Sequence, residues 1–154
     1  MKFRTALFIV AIVGGGTLSF AQSPAHIGTW KLDEAKSKLA AGAPKNSTVV
    51  YEKVGKQTKI TTEGIGPDGS PAHAEWTGKL DGKDYPVTGD PFGDTRSMKV
   101  INSRTLALTE KKDGKVVITG RATLSADGKH RTTTLSMTDP TGKRLSTSMY
   151  YDKQ

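Results

Sequence analysis

The stretch GTWKLDEAKSK, residues 28–38, places one of the chain's two tryptophans near the start of the part that we expect to fold. Tryptophan buries a large apolar ring and needs a partner for its indole N–H. Trp30 therefore predicts a first strand that closes one end of a core built by the rest of the chain. The composition of the segment that follows, Asp33–Ala41, predicts a short helix.

The first 21 residues have the composition of an export signal. Lys2 and Arg4 precede a short apolar run, and residues 19–21 supply the small side chains of a cleavage site. The run is too short for a comfortable membrane span, and the chain has no cysteine for a lipid anchor or a disulfide. We expect residues 1–21 to be a signal peptide and residues 22–154 to form one secreted or periplasmic domain, with no stable membrane insertion after cleavage.

The charge of the chain is basic but dispersed. Lysine and arginine number 23 against 15 aspartate and glutamate residues, which gives a net charge of +8. The basic residues lie mostly in turns and at alternate strand positions, whereas a nucleic-acid-binding surface concentrates them and interleaves aromatics. We therefore expect a solvated surface, no nucleic-acid partner and a monomer.

Turn sequences divide the chain at nearly regular intervals. The segments between them are rich in Thr, Val, Ile and Tyr and often alternate, which is typical of short antiparallel strands joined by hairpins. A long meander removes its free edges by closing on itself. We predict an all-β fold, an antiparallel up-and-down β-barrel of 8–10 strands with little helix. A two-sheet sandwich is the alternative, because Asp84–Thr95 reads as one long irregular connection.

Several stretches resemble the calycins, the superfamily of lipocalins and fatty-acid-binding proteins. GTWKL at 28–32 is similar to their opening strand, and the Asp-Gly-Lys turns within 112–129 and the final YYDK at 150–153 are similar to the last strands of fatty-acid-binding proteins. DGKDYPVTG at 81–89 is similar to a stretch in the uncharacterised secreted bacterial lipocalin-like proteins. The resemblance covers the whole expected domain and implies a calycin-like barrel.

The resemblance also implies a role for the first tryptophan. In calycins this residue closes one end of the barrel, and a basic residue from late in the chain packs across its ring. Gly28 and Trp30 would then form a structural plug, with Arg144 and Lys153 as the candidate cations.

Two departures separate this chain from the fatty-acid-binding proteins. Asp33–Asn46 is a short connection where that family has two covering helices. Met149 and Tyr151 stand where that family has an Arg-x-Tyr pair that grips the ligand carboxylate. A fatty-acid function is therefore not implied.

The interior of the predicted barrel is expected to be partly polar. About 18 threonines lie after residue 21, and the large apolar side chains are too few to fill a ten-strand barrel. Either small side chains fill a narrow barrel or a partly polar cavity remains. The strand alternation predicts which side chains face inward. The predicted cavity residues are Trp76, Met149 and Tyr151, with Tyr51, Arg121 and Arg131 as further candidates.

The stretch DYPVTGDPFGD, Asp84–Asp94, is the least generic of the chain and holds its only phenylalanine after residue 21. Long loops in compact barrels are often functional. One interpretation is a portal or partner-contact loop formed by Tyr85, Asp90, Phe92 and Asp94. The other is a stiff structural turn whose aromatic residues cover one end of the core.

The sequence offers no constellation for catalysis or metal binding. Cysteine is absent, and His26, His73 and His130 do not have the spacing of metal ligands. No Gly-x-Ser-x-Gly elbow is present. We therefore expect no metal, no cofactor and no enzyme activity.

Two functions from different classes remain at this point. The first is an exported, non-enzymatic barrel that binds a small hydrophobic or amphipathic molecule. The second is a secreted protein-interaction module with a filled barrel, which acts through its outer face or the Asp84–Asp94 loop. An exposed apolar patch around Tyr85 and Phe92 would favour the second.

Overall fold

The computed structural model describes residues 24–139 and 141–154, so the predicted signal peptide lies outside the described residues. Ten antiparallel strands each pair with the next, and the last pairs with the first to close a barrel. The predicted fold class is therefore confirmed, and the sandwich alternative is excluded. The strands are β1 (Gly28–Lys38), β2 (Lys45–Val54), β3 (Gln57–Ile65), β4 (Pro71–Gly78), β5 (Asp81–Thr88), β6 (Thr95–Asn102), β7 (Thr105–Lys112), β8 (Lys115–Leu124), β9 (His130–Thr138) and β10 (Arg144–Lys153).

The hairpin turns follow the sequence signals that predicted them. Asp113 and Gly114 both have positive φ, 49° and 75°, as a two-residue turn between twisted strands requires. The Asp127 carboxylate accepts a hydrogen bond from the Lys129 amide at 3.0 Å, which stabilises the turn between β8 and β9.

The alternation of the strands separates an interior from an outer face. On β8, Ile118, Ala122 and Leu124 are buried, whereas Arg121 between them is exposed. Val116 has the same parity as Ile118 but is 56% exposed, because the pairing register of β7 and β8 shifts after Glu110 and turns it outward.

The helix predicted over Asp33–Ala41 is wrong. β1 continues to Lys38, and the only helical element in the described residues is a 3-10 helix at Pro24–His26. Closure of the barrel requires β1 to pair with both β2 and β10, and this long-range pairing overrides local helix propensity. An irregularity in the pairing with β10, between Asp33 and Lys38, accommodates the polar segment.

The long connection predicted over Asp84–Thr95 is also wrong in its first half. β5 extends to Thr88, so only residues 89–94 form the loop. Pro86 is tolerated within β5 because that strand pairs with β4 only at Val87 and Thr88.

The up-and-down topology gives the barrel two distinct ends. One end carries the 3-10 helix and the turns that follow β2, β4, β6 and β8. We call it the closed end. The opposite end carries the connections at 39–44, 66–70, 89–94 and 113–114 and the end of β9, and we call it the mouth. Within the described residues, no helix is long and apolar enough to cross a membrane.

Candidate functional site

Trp30 lies at the closed end with no exposed surface. Its indole N–H donates a hydrogen bond to the His26 carbonyl at 2.9 Å, which ties the first strand to the 3-10 helix. Gly28 has a φ of 130°, and the Lys153 side chain occupies the space that a β-carbon there would need. These contacts are those of a structural plug.

The cations on Trp30 are Arg131 and Lys153, whose charged groups lie 5.0 Å and 5.3 Å from the ring. The predicted contact of Lys153 with the Trp30 ring is confirmed, and the predicted contact of Arg144 with that ring is wrong. Arg144 lies at the mouth end of β10, where its guanidinium donates to the Ser136 hydroxyl on the outer face.

A narrow cavity of about 60 Å³ extends from the middle of the barrel to the mouth. That volume holds roughly four water molecules or a ligand of a few non-hydrogen atoms. Pro91 and Phe92 of the 89–94 loop line its outer part. Its apolar wall includes Val49, Ile60, Met98, Leu108 and Leu135.

The predicted cavity residues divide into three groups. Tyr51, Arg131 and Tyr151 line the cavity. Trp76 and Met149 face inward and are almost fully buried, but they are packed in the core and do not line the cavity.

Arg121 is the exception, and its predicted inward placement is wrong. Its side chain is exposed on the outer face of β8, in a shallow groove lined by threonine and serine. The parity that buries Ile118 and Leu124 requires Arg121 to point outward.

Arg131 is the most unusual residue of the cavity. It is 2% exposed, and its guanidinium carbon lies 4.8–5.0 Å from the ring centres of Trp30, Tyr51 and Tyr151. Its Nε and Nη1 have no hydrogen-bond partner, and no acidic side chain of the described residues lies within ion-pair distance. The Thr133 hydroxyl, two residues along the same face, is also buried without a partner.

The groups around Arg131 are held neutral. Burial raises the pKa of Tyr151, whose hydroxyl donates to the Asn46 carbonyl at 2.9 Å. Burial, and secondarily the charge of Arg131, lowers the pKa of His26 to about 4. Near neutral pH, Tyr151 therefore supplies no negative charge to Arg131, and His26 adds no second positive charge.

A second polar cluster lies nearer the mouth, and we call Asp90, Arg96 and Glu110 the mouth triad. Arg96 on β6 lies opposite Glu110 on β7, and its Nε and Nη2 donate to Glu110 Oε2 at 3.0 and 2.8 Å. Nη2 also donates to Asp90 Oδ2 at 2.7 Å. All three side chains are 10% exposed or less.

The mouth triad holds one more negative charge than positive when both carboxyls are ionised. Glu110 Oε1 has no hydrogen-bond partner. The pKa of Glu110 is raised to about 7, mainly by burial; the Arg96 guanidinium opposes this rise and the Asp90 carboxylate adds to it. The cluster therefore takes up a proton near neutral pH.

The residues predicted for a portal loop have separate roles. Asp90 and Phe92 line the cavity, and the Phe92 amide donates to Asp90 Oδ1 at 2.9 Å. Tyr85 lies in β5, where its ring packs edge-on against Trp76 and its hydroxyl donates to Asp81. Asp94 accepts a hydrogen bond from the Asp113 amide at the next turn.

The exposed apolar patch expected for an interaction module is not present around these residues. Tyr85 and Phe92 are both half-buried and packed against the core. Among the described residues, the large apolar side chains that are exposed lie on four different strands: Val54, Ile65, Ile101 and Val116.

Sequence reasoning missed Arg96, Glu110 and Thr133. A signal existed for each, because each lies two positions from an inward-facing apolar residue of its own strand and so faces the same side. The pairs are Arg96 with Met98, Glu110 with Leu108, and Thr133 with Leu135. A charged residue at an inward position is costly unless it is paired or serves a ligand.

Metal binding has no geometric support in the described residues, where no group of three or more His, Asp or Glu side chains could hold an ion. The nearest approach is on the outer face, where His73 lies between Glu63 and Glu75, with half of its side chain exposed.

No protein-family model matches the sequence, and no curated protein matches it. Solved structures with a similar fold include two redesigned beta barrels and lobster apocrustacyanin A1. The first barrel is 12% identical, with a TM-score of 0.44, and the match covers 86% of this chain and 94% of that one. The second, mFAP1 bound to DFHBI, is 16% identical at a TM-score of 0.42, covering 82% and 95%. Apocrustacyanin A1 is 16% identical at a TM-score of 0.41, covering 84% and 61%.

Proposed function

We propose that this chain is an exported, monomeric, non-enzymatic barrel that binds a small amphipathic molecule carrying an anionic group. The observation that carries the proposal is the buried guanidinium of Arg131, which faces a cavity without a counter-ion and with two unpartnered nitrogens. Thr133 adds an unpartnered hydroxyl on the same wall.

The physical argument begins with the cost of that charge. An arginine keeps its proton at all accessible pH values, so it cannot escape burial by becoming neutral. The three aromatic faces around Arg131 offset part of the cost of desolvation, but they leave Nε–H and Nη1–H unsatisfied. A carboxylate bound there would accept a hydrogen bond from one of these N–H groups and supply the missing charge.

The remainder of the cavity sets the rest of the ligand. Val49, Ile60 and Leu135 present apolar surface in the same cavity as Arg131, which suits a short apolar tail. The volume of about 60 Å³ restricts the ligand to a few non-hydrogen atoms unless the mouth rearranges. Short-chain carboxylates are therefore the probes that fit.

The export and the non-enzymatic role that we propose rest on the sequence. The apolar leader and its small-residue cleavage site support secretion or a periplasmic location, and the absence of cysteine supports a domain held together by packing alone.

Isothermal titration calorimetry with matched acids and amides tests the proposal. The probes are butyrate and hexanoate, and the matched neutral compounds are butyramide and hexanamide. We expect the acids to bind the parent protein at least about tenfold more tightly than the amides, because a charge-assisted hydrogen bond is worth about 1.5–3 kcal/mol.

Arg131→Gln is the test variant and Arg121→Gln the matched control, since the latter removes the same charge from the outer face. We expect Arg131→Gln to abolish the preference for acids and Arg121→Gln to leave it unchanged. Native mass spectrometry of protein purified from its own source would identify a co-purifying ligand. Absence of binding by acids and amides alike would refute the proposed function.

A further inference from the structure

The loop at residues 89–94 lies between the cavity and solvent. Pro91 and Phe92 line the cavity from this loop, and Gly93 is buried against the Glu110 side chain. The loop begins at Gly89, which has a φ of 74°, and is anchored beyond Gly93 by the Asp94 amide, which donates to the Lys111 carbonyl. Its ends are fixed by backbone hydrogen bonds, and its centre is held by the mouth triad.

The centre depends on one side chain. Asp90 is the loop's contribution to the mouth triad, and its two oxygens accept from Arg96 Nη2 and from the Phe92 amide. Asp90 and Glu110 converge on the same nitrogen of Arg96, so the loop carboxylate lies beside the barrel carboxylate. Ile118 faces Glu110 from β8 and is uncharged, and Arg131 lies deeper in the same cavity. Arg96 and Asp90 are therefore the charged groups that act on Glu110 directly.

We propose that the mouth triad is a proton-operated latch, in which the protonated Glu110 carboxyl holds the 89–94 loop closed over the cavity and its ionisation releases the loop. With Glu110 protonated, the buried site holds one negative charge on Asp90 and one positive charge on Arg96, and the two groups are paired. An ionised Glu110 adds a second negative charge to a buried site that holds one positive charge. Repulsion then acts on Asp90, the member of the triad that lies on a loop.

The pKa of Glu110, raised to about 7 by burial and by Asp90, places this change near neutral pH. Acidification would therefore close the mouth, and a rise in pH would open it. This inference deepens the proposed function, and it rests on that function for what passes through the mouth. The movement of the loop itself is measurable without a ligand.

Hydrogen exchange of the Phe92 amide in the ligand-free protein tests the latch, because that amide donates to the Asp90 side chain. After correction for the intrinsic pH dependence of exchange, we expect protection of Phe92 to fall about tenfold between about pH 5.5 and about pH 8.5. Glu110→Gln keeps a neutral donor beside Asp90 and should hold the protection constant over that range. Asp84→Asn is the matched control, since Asp84 forms an exposed ion pair with Lys111 on the outer face, and it should retain the parental change.

Two results would overturn the latch: constant Phe92 protection in the parent, or an equal fall in Glu110→Gln. If Glu110→Gln fails to fold, the carbon-13 titration of the Glu110 carboxyl in the parent replaces it. Its midpoint should coincide with that of the loop transition, and a difference of more than about one pH unit contradicts the proposal.

The rate at which butyrate enters the cavity, measured by stopped flow, tests whether the latch controls binding. We expect the entry rate to rise with pH in the parent and to stay slow in Glu110→Gln. An entry rate independent of pH, despite binding, overturns the latch while the proposed function stands. Failure of butyrate to bind at any pH refutes the proposed function, and the Phe92 exchange still decides whether the loop responds to protonation.

Discussion

Replacement of Trp30 by alanine tests the role of the closed end in stability. The side chain has no exposed surface, donates its indole N–H to the His26 carbonyl and lies under two cations. Large-to-small substitutions of buried aromatic residues cost about 3–5 kcal/mol, since apolar transfer energy is lost and a cavity remains. Trp30→Ala also removes one of the three rings that offset the burial of Arg131, so we expect the upper half of that range.

Urea denaturation followed by circular dichroism measures this loss of unfolding free energy. In a thermal melt, the same loss should lower the melting temperature of a domain of this size by at least about 10 °C. Trp30→Phe keeps a ring but loses the hydrogen bond to His26, and it should cost less than Trp30→Ala. Val116→Ala, at a position 56% exposed, is the control and should change stability by less than about 0.5 kcal/mol. A loss below about 1 kcal/mol in Trp30→Ala would show that the closed end contributes little to the stability of the barrel.

Three further predictions concern single positions. Gly89→Ala should destabilise the barrel far more than Gly114→Ala. Both glycines have φ near 75°, but only at Gly89 would the added carbon collide with a backbone carbonyl, that of His73. Equal unfolding free energies of the two variants would contradict this. The raised pKa of Glu110 contributes stability that is full below about pH 4.5 and is lost as pH rises through about 7. The unfolding free energy of the parent relative to Glu110→Gln should therefore fall over that window, by on the order of 3 kcal/mol, and a constant difference would refute the assignment. The lowered pKa of His26 has the opposite sign, so its stabilisation is present above about pH 6.5 and is lost as pH falls through about 4. His26→Gln should reduce the loss of unfolding free energy between about pH 6.5 and about pH 4. An equal loss in the parent and the variant would show that the pKa of His26 is not lowered in the folded state.

The strand pattern was readable from the sequence because local signals determine it. The Asp-Gly turns and the alternation on β8 predicted a hairpin meander, and the alternation correctly placed Trp76, Met149 and Tyr151 in the interior. The helix predicted over Asp33–Ala41 was wrong because the composition of that segment favours a helix, whereas the need of β1 to pair with β10 is a property of the closed barrel.

The site was less readable, because it depends on which strands lie opposite each other across the barrel. Parity shows that Arg131 faces inward, but only the closed structure shows that Trp30, Tyr51 and Tyr151 surround it. The pairing of Arg96 with Glu110 requires the register of β6 and β7, which no turn sequence fixes, since the register shifts near Val100.

The most direct test of the central claim is the nitrogen-15 NMR signal of the Arg131 Nε–H group, followed during titration with butyrate. This group is buried without a hydrogen-bond partner, so its signal reports any acceptor that enters the cavity. We predict a saturable downfield shift with butyrate and none with butyramide, and no change in the Nε signal of Arg121 with either compound. Binding of butyrate without a change at Arg131, or an equal change with butyramide, would contradict the assignment of Arg131 as the anchor for an anionic ligand.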